Sequence, residues 1–501
     1  MGRGCEHEVG FSISSFQLLS SRGEGLLFRP PFSVLRLPNR QMILCRHLLC
    51  LIILVCAVSC FGAQSDSPLP RWELRIGELY FRVNGFPSFV LGRNPTERTV
   101  EAFDRDFGAA AANGEKIVRL HLMHGIPPNG LAGKVDEPWA AKWDRVFDAA
   151  ERHGIAVIPV FTIWAQWNDG SKGEFWHVWN DNPFNVAHGG PARSPSDLLQ
   201  DTECRRQWLT WLGELVRRWR GHSCIVAWEP ISEIDLVTGA TPQAAAAFAE
   251  QAALAIRKAD PKRRPVTVSH SGIVDWPEVN GSRAVDIIQT HPYGEHPQYL
   301  GNLSEMIVDS VRDRLRKYGK PVLIGECGLD ARPPARTITL AERAPIGIRH
   351  ALWASVVSGA MNGRMLWWED GYDKYEHADI AGRYEEAAAP MAHFVKGISF
   401  QDLKPADVML SKNLKGAALA SNKLIVGWFR DAQCTPPDWP VRRLSGESIT
   451  LPKAGGKRWT VQFYDTHTGK LMGAAMPVDP LDGLVVALPE FSESVALIAS
   501  R

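Results

Sequence analysis

The stretch Cys224–Asp235 has the sequence CIVAWEPISEID, a short apolar run followed by a proline and several acidic residues. The run Ile225–Trp228 is too short for a helix and is bounded by the proline, which predicts a buried strand. Glu233 follows where this strand ends. A second apolar run, Pro321–Gly325, is followed in the same way by Glu326. If both strands belong to one parallel barrel, the two carboxylates meet at its C-terminal mouth.

Strands and helices alternate on both sides of this stretch. Thr202–Arg220 shows the clearest helical pattern, with apolar residues recurring at i, i+3, i+4 and i+7. No GxGxxG follows the first strand, so an α/β fold in the form of a closed (β/α)8 TIM barrel is favoured over a doubly wound sheet. An Asn84-Gly85 turn predicts a hairpin before the first strand. The predicted strands are 88–91, 116–122, 155–162, 225–228, 265–269, 285–290, 322–325 and 364–368; the predicted helices are 96–112, 137–153, 202–220, 242–258, 304–318 and 344–360.

The length of 501 residues predicts more than one domain. After about residue 400 the pattern changes to short alternating runs separated by turns, which is typical of an all-β domain. We therefore expect a barrel over residues 72–399 and a β-sandwich over residues 400–501.

The N-terminal region contains an apparent export signal. Residues 42–63 carry one basic residue before an apolar core that is shorter than a membrane-spanning helix, which resembles a secretory signal peptide. Residues 1–41 lack a periodic pattern and are interpreted as a non-native or disordered leader. The sequence before Cys60 is also similar to a lipoprotein cleavage box, so secreted, periplasmic and lipid-anchored forms all remain open.

The composition limits the class of partner. Lys+Arg 56 against Asp+Glu 55 gives a formal charge of +1, which provides no electrostatic basis for binding nucleic acid or an anionic membrane face. An uncharged partner and a monomeric state are expected. The helix predicted between Cys204 and Cys224 is too long for those two cysteines to form a disulfide. No Cys/His cluster predicts zinc, and neither a metal nor a cofactor is expected.

A pair of carboxylates at one barrel rim is the arrangement that hydrolyses glycosidic bonds. One carboxyl must be protonated to assist departure of the leaving oxygen, and the other must be ionised to attack the anomeric carbon. The simpler alternative is that each glutamate only caps a following helix or pairs with an arginine.

Three motifs carry a resemblance to a known family. Trp228–Glu233, WEPISE, resembles the WELxNE signature that ends the fourth strand of clan A glycoside hydrolases, the cellulase and β-mannanase type of barrel. Pro321–Gly328, PVLIGECG, resembles the seventh-strand motif of the clan, and His291-Pro292-Tyr293 is similar to its HxY after the sixth strand. The resemblance covers roughly residues 72–399. It implies a family 5-like retaining enzyme acting on a neutral β-linked polysaccharide or oligosaccharide, with Glu233 as acid/base and Glu326 as nucleophile.

The same resemblance implies roles for residues around the pair. Arg119 would keep Glu326 ionised through bidentate pairing, and Tyr293 would donate to the same carboxylate. Either Trp367 or Trp368 would stack on the sugar at the cleavage site. Because neighbouring strand residues face opposite ways, only one of the two tryptophans can face the mouth.

Other candidates have competing interpretations. His121 and His291 are placed either on the sugar-binding rim or in hydrogen-bonded packing. Ser232 occupies the position where the family has an asparagine that donates to the sugar. Glu229 lies four residues deeper than Glu233 and is expected to be a buried structural carboxylate. The loop after the third strand is expected either to form a wall of the cleft or to pack as its own small core; its aromatic residues are Trp164, Trp167, Phe175, Trp176, Trp179 and Phe184.

Two other functions remain open. A metal-dependent barrel hydrolase is suggested by polar residues near strand ends, although no HxH lies on the first strand. A catalytically silent carbohydrate-binding protein is suggested by Ser232 and the appended sandwich. The residues that suggest a metal are His121, His124, His270, His291 and Asp370.

Overall fold

The computed structural model describes residues 69–122, 130–172, 177–200, 202–294, 296–329, 341–367, 387–451, 458–479 and 484–501. The leader, the apparent signal peptide and Cys60 lie outside these ranges. Residues from Pro68 onward form one compact unit. Among the described residues, no helix has both the length and the apolar content that a membrane span requires.

Eight parallel segments close into a barrel. At one seam, Asn362 pairs with Val90 of the first strand, and at another a bridge joins Cys327 to Leu366. Bridges and backbone hydrogen bonds rather than a continuous ladder place the fourth segment between its neighbours. The (β/α)8 prediction is therefore confirmed. In chain order the segments are Val90–Arg93, Ile117–His121, Ala156–Val160, 225–232, Thr267–Val268, Ile287–Thr290, Val322–Ile324 and Asn362–Gly363.

Helices follow the barrel strands, and side-chain caps fix the start of several of them. Thr99, Asp136 and Thr202 each accept a hydrogen bond from a backbone N–H in the first helical turn. Gly154 ends the second helix in the left-handed conformation, at φ 68°. These local contacts set the ends of the helices, most of which lie close to the ranges predicted from apolar periodicity. The helices are Val100–Ala112, Glu137–His153, Glu203–Trp219, Pro242–Ala259, Pro277–Asn280, Leu303–Tyr318, Ala344–Ser358 and Ala388–Val395.

A small antiparallel sheet precedes the barrel. Arg82–Val83 and Phe86–Pro87 pair across Asn84 and Gly85, whose φ values are 53° and 81°. Two consecutive positive φ values are what a type I′ hairpin turn requires, so the Asn-Gly prediction is confirmed. Trp72–Glu73 adds the third strand.

The C-terminal region is the predicted antiparallel β-sandwich. A six-stranded sheet has the order Lys404–Ala406, Leu414–Ala420, Leu424–Asp431, Ser494–Ser500, Trp459–Asp465 and Met476–Val478. A three-stranded sheet has the order Met409–Leu410, Ser448–Leu451 and Leu484–Ala487, and Arg443–Leu444 pairs with Phe491–Ser492. Buried apolar residues of both larger sheets form one core cluster.

The sandwich packs directly against the barrel helices. Arg349 of the helix Ala344–Ser358 donates twice to Glu493, at 2.7 and 2.9 Å. The indole of Trp353 donates to the backbone oxygen of Thr466, and Arg430 pairs with Glu305 at 2.6 Å. Because these contacts join the two parts into one compact unit, a division between residues 399 and 400 stays a prediction.

Candidate active site

Glu233 lies at the C-terminal end of the fourth barrel segment in a constrained conformation. Its φ and ψ are 54° and 57°, in the left-handed region that a residue with a Cβ occupies at a cost of about 1–2 kcal/mol. Its backbone N–H donates to the Ser269 hydroxyl at 2.9 Å. The next N–H, of Ile234, donates to the Ser269 carbonyl. The fifth strand therefore holds the backbone of Glu233 in place.

Glu326 follows the seventh strand, Val322–Ile324, and is almost entirely buried. Arg119 Nη1 donates to its Oε1 at 2.6 Å, and the Tyr293 hydroxyl donates to its Oε2 at 2.8 Å. A bridge between Tyr293 and Gly328 continues the pairing of the sixth and seventh strands and brings this hydroxyl opposite the carboxylate. Each oxygen of Glu326 thus has its own donor, as a buried ionised carboxylate needs.

The structure brings the two predicted carboxylates together. Ligand atoms of Glu233, His291 and Glu326 all lie within 4.8 Å of one another. His291 Nδ1 is 2.9 Å from Glu233 Oε1 and 3.7 Å from Glu326 Oε2. A carboxylate spacing of about 5–5.5 Å is the one used for direct nucleophilic attack on a sugar, whereas inverting enzymes need a wider gap for a water. The spacing here belongs to the short class.

The environment separates the proton affinities of the two carboxyls. Burial and the neighbouring charge of Glu326 raise the pKa of Glu233 above its ordinary value. Burial also opposes ionisation of Glu326, but His291, Arg119 and the Tyr293 hydrogen bond outweigh it and hold the pKa of Glu326 well below its ordinary value. One carboxyl therefore keeps a proton while its neighbour stays ionised, which is the division of roles that acid-assisted displacement requires.

The pairing of Arg119 differs from the prediction. Its bidentate contact is with Glu229, Nε to Oε2 at 2.8 Å and Nη2 to Oε1 at 2.7 Å, and only Nη1 reaches Glu326. Because Arg119 and Glu229 are both fully buried, this bidentate contact compensates the cost of burying the negative charge of Glu229. Glu229 is the expected buried structural carboxylate, and a single N–H of Arg119 remains for Glu326.

His121 and Trp367 complete the side of the site next to Glu326. His121 Nε2 lies 3.7 Å from Glu326 Oε1, and its ring meets the Trp367 ring edge-on at 4.6 Å. Burial and the charge of Arg119 lower the pKa of His121 well below its ordinary value, so the imidazole is neutral near pH 7. Of the two predicted stacking tryptophans, Trp367 lies at this site; Trp368 lies outside the described residues.

Ser232 contacts the buried arginine, and its role in binding the sugar stays a prediction. It is buried, and its Oγ accepts from Arg119 Nη2 at 2.8 Å. Its backbone oxygen accepts from the N–H of Trp164, which places the half-buried Trp164 beside the fourth segment. Ser232 thus belongs to the hydrogen-bond network of the arginine.

Part of the aromatic loop is its own core. Trp167 lies 5.9 Å from Trp179 and 5.6 Å from Phe184, and all three are buried. These three rings therefore match the second alternative, in which the loop packs as its own small core. Phe175 and Trp176 lie outside the described residues.

The donor set does not favour a metal at the carboxylate pair. Glu233, His291 and Glu326 are close enough to ligate a cation, but both oxygens of Glu326 already accept hydrogen bonds, one of them from the charged Arg119. His270 is buried against Trp276 at 5.4 Å. His124 and Asp370 lie outside the described residues.

A second group of ligand-type side chains lies at the opposite end of the fourth segment, formed by Glu151, His222 and Cys224. Glu151 Oε1 already accepts from the backbone N–H groups of Ser223 and Cys224, which anchors the start of that segment. The four described cysteines are free thiols, as expected for Cys204 and Cys224.

Two polar residues that organise the rim were not predicted from the sequence. Ser269 contacts Glu229 and the backbone of Glu233. Asn94 donates to the backbone oxygens of Gly325 and Met365, which ties the end of the first strand to the seventh and eighth. Ser269 ends a predicted strand and Asn94 follows one. Their position at the C-terminal edge of the barrel could therefore have identified both as candidate site residues.

Comparison with known proteins agrees with this geometry. Residues 96–355, just over half of the chain, match the model of the cellulase family, glycosyl hydrolase family 5. The fold is similar to that of a glycoside hydrolase family 5 structure from Bacteroides vulgatus, with a TM-score of 0.61 and 14% identity over 86% of this chain and 93% of that chain. A second structure, of a glycoside hydrolase, gives 0.58 and 14% over 86% and 97%. A search of curated proteins found no match. The chain belongs to glycosyl hydrolase family 5 and is a glycosidase.

Proposed function

We propose that this glycosidase cleaves its substrate by double displacement with retention of configuration. Glu326 is the nucleophile and Glu233 is the acid/base. The observation that carries the proposal is the carboxylate pair within 4.8 Å whose pKa values are displaced in opposite directions. Two carboxyls so close cannot both ionise readily, so the hydrogen bonds from Arg119 and Tyr293 select Glu326 as the ionised partner.

In the first step a Glu326 oxygen attacks the anomeric carbon and forms a glycosyl ester. The bond between that carbon and the glycosidic oxygen breaks, and Glu233 transfers its proton to the departing oxygen. His291, at 2.9 Å, keeps the Glu233 carboxyl directed toward its partner. Both groups thus act on one bond in a single site.

In the second step a water molecule attacks the same carbon from the face that the leaving group vacated. Glu233, now ionised, removes a proton from the water, and the bond to Glu326 breaks. Glu233 regains its proton and Glu326 its charge. Two inversions give net retention.

The proposed substrate is a neutral β-linked polysaccharide or oligosaccharide. The near balance of charge, +1 at pH 7, offers no long-range attraction for a polyanion. Trp367 beside His121 supplies a ring at the site, where the C–H face of a sugar can pack. We also propose that the protein is exported, on the basis of the signal-peptide-like residues 42–63, with Cys60 as the attachment site of a lipid-anchored form. We further propose that it is a monomer.

The test is a panel of β-linked polysaccharides, with released reducing ends measured for the wild type, Glu326→Gln and a control, Glu278→Gln, on the short surface helix Pro277–Asn280. We expect Glu326→Gln to lose at least about 10⁴-fold in turnover with unchanged thermal unfolding, while the control keeps full activity. Turnover retained by Glu326→Gln would remove the nucleophile assignment. Binding of a polymer without hydrolysis by the wild type would favour the silent carbohydrate-binding alternative.

The stereochemical part is tested separately. Proton NMR of the first products should show the β-anomer before mutarotation. An initial α-product would show inversion and overturn the double-displacement mechanism.

A further inference from the structure

The Ser269 hydroxyl links the buried carboxylate of Glu229 to the backbone of the acid/base Glu233. It ends the fifth strand region, is fully buried and uses its hydroxyl in two directions. The hydroxyl donates to Glu229 Oε1 at 2.9 Å and accepts from the backbone N–H of Glu233 at 2.9 Å. With one proton to give and lone pairs to accept, a serine hydroxyl fits both contacts.

These contacts complete a continuous chain of hydrogen bonds. Arg119 donates one hydrogen bond to Glu326 and a bidentate pair to Glu229. Glu229 also accepts from the Ser269 hydroxyl, which in turn accepts from the backbone N–H of Glu233. Arg119, Glu229 and Ser269 are all 0% exposed, so no solvent replaces a lost contact. The backbone of the acid/base is therefore fixed relative to the nucleophile through a buried ion pair.

Glu233 needs such a restraint because its backbone is not in a favoured conformation. The left-handed φ of 54° persists only where neighbouring contacts over-determine it. On the backbone side, Ser269 holds both the Glu233 N–H, through its hydroxyl, and the Ile234 N–H, through its carbonyl. On the side-chain side, His291 holds the carboxyl. Loss of the hydroxyl removes this acceptor of the Glu233 N–H, while the contacts made by Ile234, Leu236 and His291 remain.

We propose that Ser269 is a positioning residue that sets the direction of the Glu233 carboxyl for proton transfer. This inference rests on the proposed function. Ser269 does not touch the reacting atoms; it acts through the backbone of Glu233. Its removal should therefore impair protonation of the leaving group more than attack by Glu326.

Leaving-group dependence separates these two effects. A dinitrophenyl glycoside departs without protonation, whereas an unsubstituted phenyl glycoside needs the acid. We compare Ser269→Ala on both aryl β-glycosides of the sugar that the polysaccharide panel identifies. The expected loss of kcat/KM is roughly 10- to 100-fold for the phenyl glycoside and less than about 3-fold for the dinitrophenyl glycoside, because misplacement by a fraction of an ångström weakens proton transfer first.

Two controls define the scale. Ser310→Ala removes a buried hydroxyl on the helix Leu303–Tyr318, where it donates to the Ile307 carbonyl, and should behave as the wild type on both substrates. Ser269→Thr keeps the hydroxyl and should recover most activity on the phenyl glycoside. Thermal unfolding shows whether each variant is folded. If Ser269→Ala does not fold, the activity of Ser269→Thr on the two glycosides provides the test instead.

The outcomes are distinguishable from failure of the proposed function. Equal loss on both substrates by Ser269→Ala, or no loss on either, overturns the positioning role. If Glu233→Ala also fails to discriminate between the substrates, or if the panel yields no hydrolysis, the acid/base assignment fails first and the role of Ser269 falls with it.

Discussion

Replacement of Arg119 by methionine tests the buried network most directly. Methionine keeps the unbranched apolar stem and removes the guanidinium, which makes the contacts to Glu229, Glu326 and Ser232. Glu229 would keep only the Ser269 hydroxyl as a donor, and Glu326 only the Tyr293 hydroxyl. Since removal of one partner of a buried pair costs about 3–5 kcal/mol, we expect the free energy of unfolding to fall by that amount.

Equilibrium urea unfolding followed by tryptophan fluorescence gives the measurement, with Arg145→Met as the matched control. Arg145 pairs with Glu101 at 3.1 Å, but both side chains are about two-thirds exposed, at 65% and 67%, so the control should unfold as the wild type does. A destabilisation of Arg119→Met no larger than that of the control would refute the view that the ion pair is buried and interdependent.

A double-mutant cycle sharpens the same prediction. Glu229→Gln alone leaves Arg119 with one charged partner, whereas Arg119→Met alone leaves Glu229 with none. The double variant removes both charges of the Arg119–Glu229 pair. Its loss of unfolding free energy should therefore be smaller than the sum of the losses in the two single variants by about 0.5–3 kcal/mol. Exact additivity would show that the two groups do not interact.

Two further predictions concern pH. Hydrolysis requires Glu233 to be protonated and Glu326 to be ionised. Because the pKa of Glu233 is raised and that of Glu326 is lowered, the profile of kcat/KM against pH should have its alkaline limb above, and its acid limb below, the ordinary glutamate pKa of 4.5. Initial rates measured between about pH 2 and 9 would contradict this if both limbs lay on the same side of that value. At the barrel–sandwich contact, burial opposes ionisation of Glu493, but hydrogen bonds from His467 and Arg349 outweigh it and lower its pKa to about 2. The ionised Glu493 therefore contributes its full stabilisation of the folded state above about pH 4.5, and this is lost as the pH falls through about 2. The thermal midpoint of Glu493→Gln should be lower than that of the wild type at neutral pH and should depend less on pH in this window, and parallel curves of thermal midpoint against pH would refute the assignment.

Local patterns were sufficient to predict most of the fold. The Asn84-Gly85 turn, the apolar strand runs and the helical periodicity each act within a few residues, so their positions are visible in the sequence. The strand ends were less exact. The eighth strand was predicted at 364–368, whereas the ladder with Val90 lies at Asn362–Gly363 and a single bridge follows at Leu366, because pairing with neighbouring strands sets these limits.

Local patterns were enough to place two glutamates at the ends of the fourth and seventh strands of a parallel barrel, because strand length, parity and order along the chain are local properties. The folded barrel was needed to show that Glu229 receives the bidentate contact of Arg119, and that Ser269 links this pair to the backbone of Glu233. Arg119 and Glu229 are 110 positions apart, and their contact depends on how neighbouring strands are staggered around the closed barrel. A shift of one residue in that stagger would turn either side chain to the opposite face, and no local pattern records it.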